Sequence, residues 1–338
     1  MTLVPERAEP WLSGIWSRLQ QSRDAGRLAH ALLVCGPRGV GKRQLVERFA
    51  ASLICRARLA DGAACGRCAD CRLLAAGSHP DLMRVGPDPE AKSDEITVGA
   101  VRAFSQRESL TPSRADWKVA ILDPADRLNP AAANALLKTL EEPAGRTIMC
   151  LVAERIGQLP ATIRSRCLQI RVPVPDESSA LAWLREQGLT DDPALRLALA
   201  HGAPRRALAD LDQGQLEQRR QRLAGLLALA EGRADPLAEA AAWNGVGPVL
   251  LLEWLAGWMC DLLRLMVTDR PGRLDNPDQL QCFSDLARRL DPAAGHRFLQ
   301  RVLAARGLAE TNVNHLLLLE SLAIDWSGII QGETSRGP

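Results

Sequence analysis

The 338-residue sequence has no stretch of about 18 uninterrupted apolar residues, and its first residues show no charged head followed by an apolar run. We therefore expect a soluble cytoplasmic protein without a membrane partner. The sequence also lacks a large excess of one charge. It has 42 lysines and arginines and 40 aspartates and glutamates, which gives a net charge of +2. A contact with nucleic acid would need a local basic patch rather than an overall basic field.

The cysteines do not suggest a disulfide framework. There are nine, an odd number, and four of them are closely spaced in the sequence: Cys55, Cys65, Cys68 and Cys71. Four thiolates in a loop of small residues can close a tetrahedral Zn²⁺ site of the structural type. An iron–sulfur cluster is the alternative, although the Cys-x3-Cys-Pro ending of ferredoxin-type runs is absent. We expect the other five cysteines to be buried.

Strand-like apolar runs alternate with helical patterns up to about residue 172, which predicts a mostly parallel β-sheet covered by helices. The runs are ALLVC (31–35), LMRV (82–85), KVAILD (118–123), IMCLVA (148–153) and LQIRV (168–172). Pro173 and Pro175 end this alternation, and helical periodicity follows. The predicted domains are an α/β domain at 1–172, a small helical domain at 173–213, a larger helical domain at 214–330 and a tail at 331–338.

The stretch HALLVCGPRGVGK (30–42) has the strand, glycine loop and lysine of a phosphate-binding P-loop. Three glycines would turn backbone N–H groups toward a phosphate and a lysine would add a cation: Gly36, Gly39, Gly41 and Lys42. The serine or threonine that should follow to ligate Mg²⁺ is missing, since Arg43 stands there. These residues leave open whether ATP or ADP still binds.

A second NTPase element is also incomplete. The run KVAILD ends at Asp123, which fits the metal position, but Pro124 stands where a glutamate would activate water. We expect Asp126 to stabilise the turn before the next helix, for which Asn129 is the predicted N-cap. Because Arg43 and Pro124 remove two catalytic positions together, the sequence predicts a P-loop domain that does not hydrolyse ATP.

These features together resemble the delta prime branch of the clamp-loader subunits of bacterial DNA polymerase III, members of the AAA+ superfamily. The resemblance rests on the P-loop stretch, the four-cysteine insertion and three further segments: HPDLMRV (79–85), ILDPADRLNPAAANALLKTLEEP (121–143) and SRC (165–167). NVNHLLLLESLAIDW (312–326) is a weaker match to a collar helix. The resemblance implies an AAA+ α/β domain, a small helical lid and an all-α collar.

The resemblance also implies partners and residue roles. The chain would assemble with gamma or tau subunits and delta, load the beta sliding clamp on primed DNA during replication, and meet DNA through the assembled complex. Arg166 of the Ser165-Arg166-Cys167 motif would act in trans as an arginine finger at a neighbouring ATP site. Arg205 in HGAPRRAL (201–208) would take the sensor position of the second domain.

Other interpretations need residues that the sequence lacks. An active gamma/tau-type ATPase would need serine or threonine at 43 and glutamate at 124. A zinc-dependent DNA-binding protein outside a loader would need a basic or aromatic surface near 55–72, which is not evident. Trp254 and Trp258 lie one helical turn apart on an apolar face, which predicts a bundle core or, alternatively, a subunit contact.

Overall fold

The computed structural model describes residues 9–331 except 92, 144, 210–212, 269, 270, 273, 310 and 312. The contacts divide the chain into a first unit, Met1–Gly188 with Gly202–Arg206, and a second unit, Leu189–His201 with Ala207–Pro338. The predicted small helical domain is thus split between the units, and its boundaries stay a prediction. The predicted tail beyond 331 lies outside the described residues.

A five-stranded parallel sheet forms the centre of the first unit. Its strands are Ala31–Cys35 (β1), Leu82–Val85 (β2), Lys118–Leu122 (β3), Thr147–Ala153 (β4) and Leu168–Arg171 (β5). They lie in the order β2-β3-β4-β1-β5, and each neighbouring pair is parallel. Every residue of β1, β3 and β4 is buried, whereas the edge strand β5 is largely exposed. The predicted parallel α/β sheet is confirmed.

Helices cover both faces of this sheet. The helices that contribute to the two cores are α1 (Ser13–Asp24), α2 (Lys42–Ile54), α3 (Ala69–Ala75), α4 (Val98–Glu108), α5 (Pro130–Glu141) and α6 (Ala161–Arg164). A further helix, α7 (Glu177–Glu186), packs Trp183 edge-on against Trp11. Alternate residues of β1 enter different cores, because successive side chains of a strand point to opposite faces. The side chain of Asn129 accepts a hydrogen bond from the Ala132 N–H at 2.8 Å, so the predicted N-cap of α5 is confirmed.

The second unit is helical throughout the part that the structure describes. Its helices are α8 (Pro193–Leu199), α10 (Gln213–Ala230), α11 (Pro236–Asn244), α12 (Pro248–Val267), α13 (Leu280–Ala287), α14 (Pro292–Leu308) and α15 (His315–Gln331), and α9 (Pro204–Ala209) crosses the division between the units. Trp254 and Trp258 of α12 are 8% and 0% exposed, so they belong to the bundle core. Trp326 Nε1 donates to the Leu226 carbonyl at 2.8 Å and joins α15 to α10.

Among the described helices, none alone combines the length and apolar character that a membrane crossing requires. Taken as a pair, α11 and α12 have the length and composition of a membrane-spanning segment, but they are bent by 119° at their junction.

Candidate functional site

The glycine loop connects β1 to α2, as the P-loop motif predicts. Gly39 and Gly41 have φ angles of +81° and +93°, which glycine adopts without the strain that a side chain would add. Lys42 is the first residue of α2 and is only 5% exposed. Its Nζ donates a hydrogen bond to the Pro37 carbonyl at 2.7 Å, and burial lowers the pKa of its ammonium group although nearby carboxylates counteract the effect. The lysine is therefore held by its own loop.

The carboxylate predicted to bind a metal is engaged by an arginine. Arg43 Nε donates to Asp123 Oδ2 in a short ion pair, in which Asp123 is 14% and Arg43 50% exposed. Burial would lower the pKa of Arg43, but the hydrogen bond and the charge of Asp123 outweigh it and raise that pKa. The guanidinium thus neutralises the group that a P-loop enzyme uses to hold Mg²⁺.

Asp126 has a different partner from the one expected. Its carboxylate accepts hydrogen bonds from the backbone N–H groups of Glu154 and Arg155, at 3.3 and 2.9 Å. It therefore stabilises the loop that follows β4, rather than the turn before α5. A carboxylate that is used in this way does not replace the base missing at Pro124.

The predicted sensor arginine also meets a carboxylate of its own chain. The Arg205 side chain forms an ion pair with Glu9, which is 2% exposed, and the Arg205 backbone N–H donates to the Gly39 carbonyl at 3.0 Å. Trp11 Nε1 donates to the Val40 carbonyl at 2.9 Å. Two segments distant in sequence thus pack against the glycine loop, and no sequence motif predicts the Glu9 contact.

Arg166 lies at the corner between α6 and the edge strand β5. Its side chain is 35% exposed, whereas the adjacent Cys167 is buried, and burial raises the pKa of the Cys167 thiol to about 11. Arg166 Nη1 donates to the Thr162 carbonyl at 3.0 Å, and Nη2 forms a short ion pair with Glu141. The corner therefore presents a guanidinium at the surface of the first unit, held by a carboxylate that the sequence motif did not identify.

The four cysteines of the insertion converge. Their sulfur atoms all lie within 4.8 Å of one another, and the Cys55–Cys68 and Cys65–Cys71 Sγ distances are both 3.9 Å. Four sulfurs at about 2.3 Å from a tetrahedral zinc ion would lie about 3.8 Å apart. Hydrogen bonds from the backbone N–H groups of Arg67 and Cys68 lower the pKa of Cys65 to about 6 and so favour its thiolate. The donor set fits a tetrahedral metal ion with four sulfur ligands.

A buried network links this cysteine cluster to the sheet. Asp70 of α3, 3% exposed, accepts a hydrogen bond from Arg114 Nε at 3.0 Å and lies 3.4 Å from His79 Nε2. His79 Nδ1 accepts from the Asp81 N–H at 3.1 Å, and the Asp81 carboxylate accepts from the backbone N–H groups of residues 113–115 at 2.6–2.8 Å. The HPDLMRV stretch therefore anchors the insertion and the loop before β3.

Arginines near residues 55–72 are exposed, together with one from a distant segment: Arg56, Arg58, Arg67, Arg72 and Arg114. Arg56 and Arg114 form ion pairs with the buried carboxylate of Asp70. The expectation that the other five cysteines are buried is wrong for two of them. Three of the remaining five cysteines are buried, but Cys260 is half-buried and Cys282 is exposed.

Comparison with known proteins identifies the family. A family model described as DNA polymerase III, delta subunit, matches residues 11–176, and one for the C-terminal part of the delta subunit matches residues 213–328. DNA polymerase III subunit delta′ of Pseudomonas aeruginosa is 38% identical over 95% of this chain and 97% of its own length. The chain belongs to the delta′ family of DNA polymerase III.

Other relatives of this delta′ family member extend the comparison. The Escherichia coli subunit delta′ is 34% identical over 93% of this chain and 94% of its own length. A crystal structure of a gamma subunit-related protein from Thermotoga maritima covers 92% of this chain and 99% of that one, with 15% identity and a TM-score of 0.49. The predicted parallel α/β domain followed by helical regions is confirmed by the fold of this chain, and its family is that of the delta′ subunit of the DNA polymerase III clamp loader.

Proposed function

We propose that this delta′ chain is a non-hydrolysing subunit of the clamp loader and that it supplies Arg166 to the ATP site of a neighbouring subunit. The observation that carries the proposal is the position of Arg166 at the surface corner between α6 and β5, where its side chain is 35% exposed. Arg43 and Arg166 are both ion-paired and partly exposed, but Arg43 pairs with Asp123 in the chain's own loop, whereas Arg166 pairs with Glu141. Arg43 would therefore block the metal position of this chain, and Arg166 would be available to the site of a neighbour.

Hydrolysis in the chain's own loop would need two groups that are missing. A hydroxyl after Lys42 and a free Asp123 would hold Mg²⁺, and a carboxylate at position 124 would activate water. Arg43 replaces the hydroxyl and engages Asp123, and proline has no carboxylate. The active gamma/tau-type alternative is therefore disfavoured by side-chain contacts as well as by residue type.

The chemistry of Arg166 suits a role in trans. A guanidinium stays charged at all physiological pH values and presents planar donors that match phosphate oxygens. An arginine finger stabilises the charge that develops on the transferred phosphoryl group, and it increases the rate about 10³- to 10⁵-fold in other phosphoryl-transfer systems. The proposed partners are gamma or tau and delta subunits, with the beta clamp and primer-template DNA engaged by the assembled cytoplasmic complex.

We further propose that the cysteine cluster holds a structural Zn²⁺. Cys55, Cys65, Cys68 and Cys71 would supply all four ligands, so no coordination position would remain open for a substrate. The ion would stabilise the insertion at α3, and it would take no part in phosphate chemistry.

The test is an Arg166→Ala variant in a reconstituted loader in which only delta′ is changed. We expect the variant to fold, bind zinc and assemble, while ATP turnover at the site it completes falls by about 10³-fold or more. Arg166→Lys should restore little activity, because a point charge lacks the planar, bidentate geometry of guanidinium. Arg102→Ala, at an exposed arginine of α4, is the matched control. Unchanged DNA- and clamp-stimulated turnover in the assembled Arg166→Ala complex would refute the role in trans.

A further inference from the structure

The carboxylate beside the proposed finger belongs to the segment 121–143, but no motif in the sequence assigns it a role. Glu141 is the last residue of α5, and its Oε1 is the ion-pair partner of Arg166 Nη2. The two residues come from separate segments that meet where α5 contacts α6. The pair is therefore a product of the fold, rather than of local sequence.

The backbone that carries Glu141 is fixed from the interior of the domain. The preceding residue, Leu140, is 1% exposed and packs in the core beneath the sheet. Its carbonyl is one of those that a helix C-terminus leaves without an intrahelical partner, and it accepts a hydrogen bond from His30 Nε2 at 2.9 Å. Since His30 immediately precedes β1, the end of α5 is tied to the central sheet, which limits where the Glu141 carboxylate can lie.

Arg166 is held by its own chain without using all its hydrogen-bond donors. Thr162 O contacts Nη1 and Glu141 contacts Nη2, while the guanidinium carries five N–H donors in a rigid plane. Within the part of the chain that the structure describes, these are its two partners, and the remaining donors would serve phosphate oxygens. Without Glu141, a long arginine side chain at 35% exposure would sample many rotamers, and few of them would present that edge outward.

We propose that Glu141 is a positioning residue, which holds the Arg166 guanidinium in the orientation in which it meets the neighbouring ATP site. The inference rests on the proposed role of Arg166 in trans. Glu141 touches no nucleotide and acts only through the arginine. Because the finger stabilises charge that appears in the transition state, loss of Glu141 should lower kcat and leave the KM for ATP nearly unchanged.

The experiment uses the full reconstituted loader with delta′ as the only altered subunit. Glu141→Ala should lower kcat by up to about 100-fold, the cost of misplacing a catalytic group by about 1 Å, and by less than Arg166→Ala. Glu141→Gln keeps an acceptor oxygen and should recover part of the loss. Glu142→Ala removes the same charge from the next residue, which is also exposed, and should behave like the unaltered loader.

A double-mutant cycle separates this inference from the proposed function. If Glu141 acts through Arg166, Glu141→Ala should add nothing to the effect of Arg166→Ala. Unchanged turnover in the Arg166→Ala loader would refute the proposed function, and this inference with it. If Arg166→Ala lowers turnover, the positioning role alone can still be refuted. A Glu141→Ala loader with wild-type or increased kcat would refute it. So would a Glu141→Ala substitution that lowers kcat by the same factor in the Arg166→Ala loader as in the unaltered one.

Discussion

The cysteine cluster and the glycine loop lie in the same unit, but they differ in how complete their ligand sets are. In the cluster, four sulfurs lie at the spacing of a tetrahedral metal site, and backbone N–H groups favour the thiolate. In the loop, Lys42 and Asp123 have the expected residue types, but Arg43 holds the carboxylate. In the cysteine cluster all four sulfur donors converge on one point. In the glycine loop the Arg43 guanidinium occupies the carboxylate that would otherwise bind a metal ion.

The difference follows from where each site obtains its donors. All ligands of the cluster lie within a single insertion, so its geometry depends on one local fold. A P-loop metal site needs a hydroxyl after the lysine and a carboxylate from another strand. A single arginine at position 43 removes the first and neutralises the second. Such a loop can keep the backbone conformation of a P-loop while it loses the side chains that bind Mg²⁺.

The largest effect is expected when the cluster loses a ligand. Cys68→Ser should abolish stoichiometric zinc binding, because structural zinc sites draw on about 10–16 kcal/mol of apparent binding free energy. The insertion 55–72 should then exchange amide hydrogens faster, whereas β1 and β4 should stay protected. Metal analysis and hydrogen exchange measure the two outcomes.

A matched control for the cluster is Cys282→Ser, which removes an exposed thiol from the second unit. It should leave the metal content at one zinc per chain. Iron with visible charge-transfer absorbance in the unaltered protein would instead support the iron–sulfur alternative. Zinc retained at full stoichiometry by Cys68→Ser would exclude the four-sulfur site.

An intermediate effect is expected at Asp81, which anchors the loop before β3. Burial would raise the pKa of Asp81, but hydrogen bonds from the N–H groups of Ala115, Ser113 and Arg114 outweigh it and lower that pKa. Asp81→Asn should therefore cost about 1–3 kcal/mol of unfolding free energy, since an amide cannot accept all of these bonds. Urea unfolding measures the loss, and Asp116→Asn, at an exposed neighbour, should change little.

The pH dependence of this effect has a defined sign. Because the folded pKa of Asp81 lies below its ordinary value of about 3.9, the stabilisation is complete above that value. It should disappear as the pH falls through the lower folded pKa. The difference between the unaltered protein and Asp81→Asn should thus be constant near neutral pH and shrink under acid conditions. A difference that grows on acidification would contradict the assignment.

Local patterns predicted the elements well, because strand alternation, capping and turn residues act over a few positions. All five strands begin and end within one residue of the apolar runs, and the Asn129 cap forms as expected. The convergence of the cysteines also followed from spacing alone, since their ligand atoms lie in one short insertion.

Partners from distant segments could not be predicted in this way. The carboxylate of Asp126 contacts the loop after β4, and Glu141 contacts Arg166, although no local pattern relates these positions. The pairing of Arg43 with Asp123 depends on β3 lying near α2, which only the folded sheet establishes. The sequence therefore identified which residue types depart from the P-loop pattern, but not what they bind instead.

The smallest effect on stability is expected from Arg43→Thr, which tests the glycine loop directly. The Arg43 side of the ion pair is half-exposed, and such pairs contribute about 0–1 kcal/mol, so the free energy of unfolding should change by no more than about 1 kcal/mol. The threonine would supply a hydroxyl and release Asp123. Binding of ATP to the isolated chain, measured by calorimetry, should therefore become tighter when Mg²⁺ is added, and more so than in Arg43→Ala, which releases Asp123 without a hydroxyl.

Hydrolysis by the Arg43→Thr chain should nevertheless stay at background, because Pro124 still provides no carboxylate and Asp126 remains bound to the loop after β4. For the same reason, the unaltered chain should hydrolyse ATP no faster than Lys42→Ala. Magnesium-stimulated turnover that depends on Lys42 in the unaltered chain would show that the ion pair between Arg43 and Asp123 opens during catalysis. The proposed contrast, between a cysteine cluster with a full set of ligands and a glycine loop that does not support hydrolysis, would then be wrong.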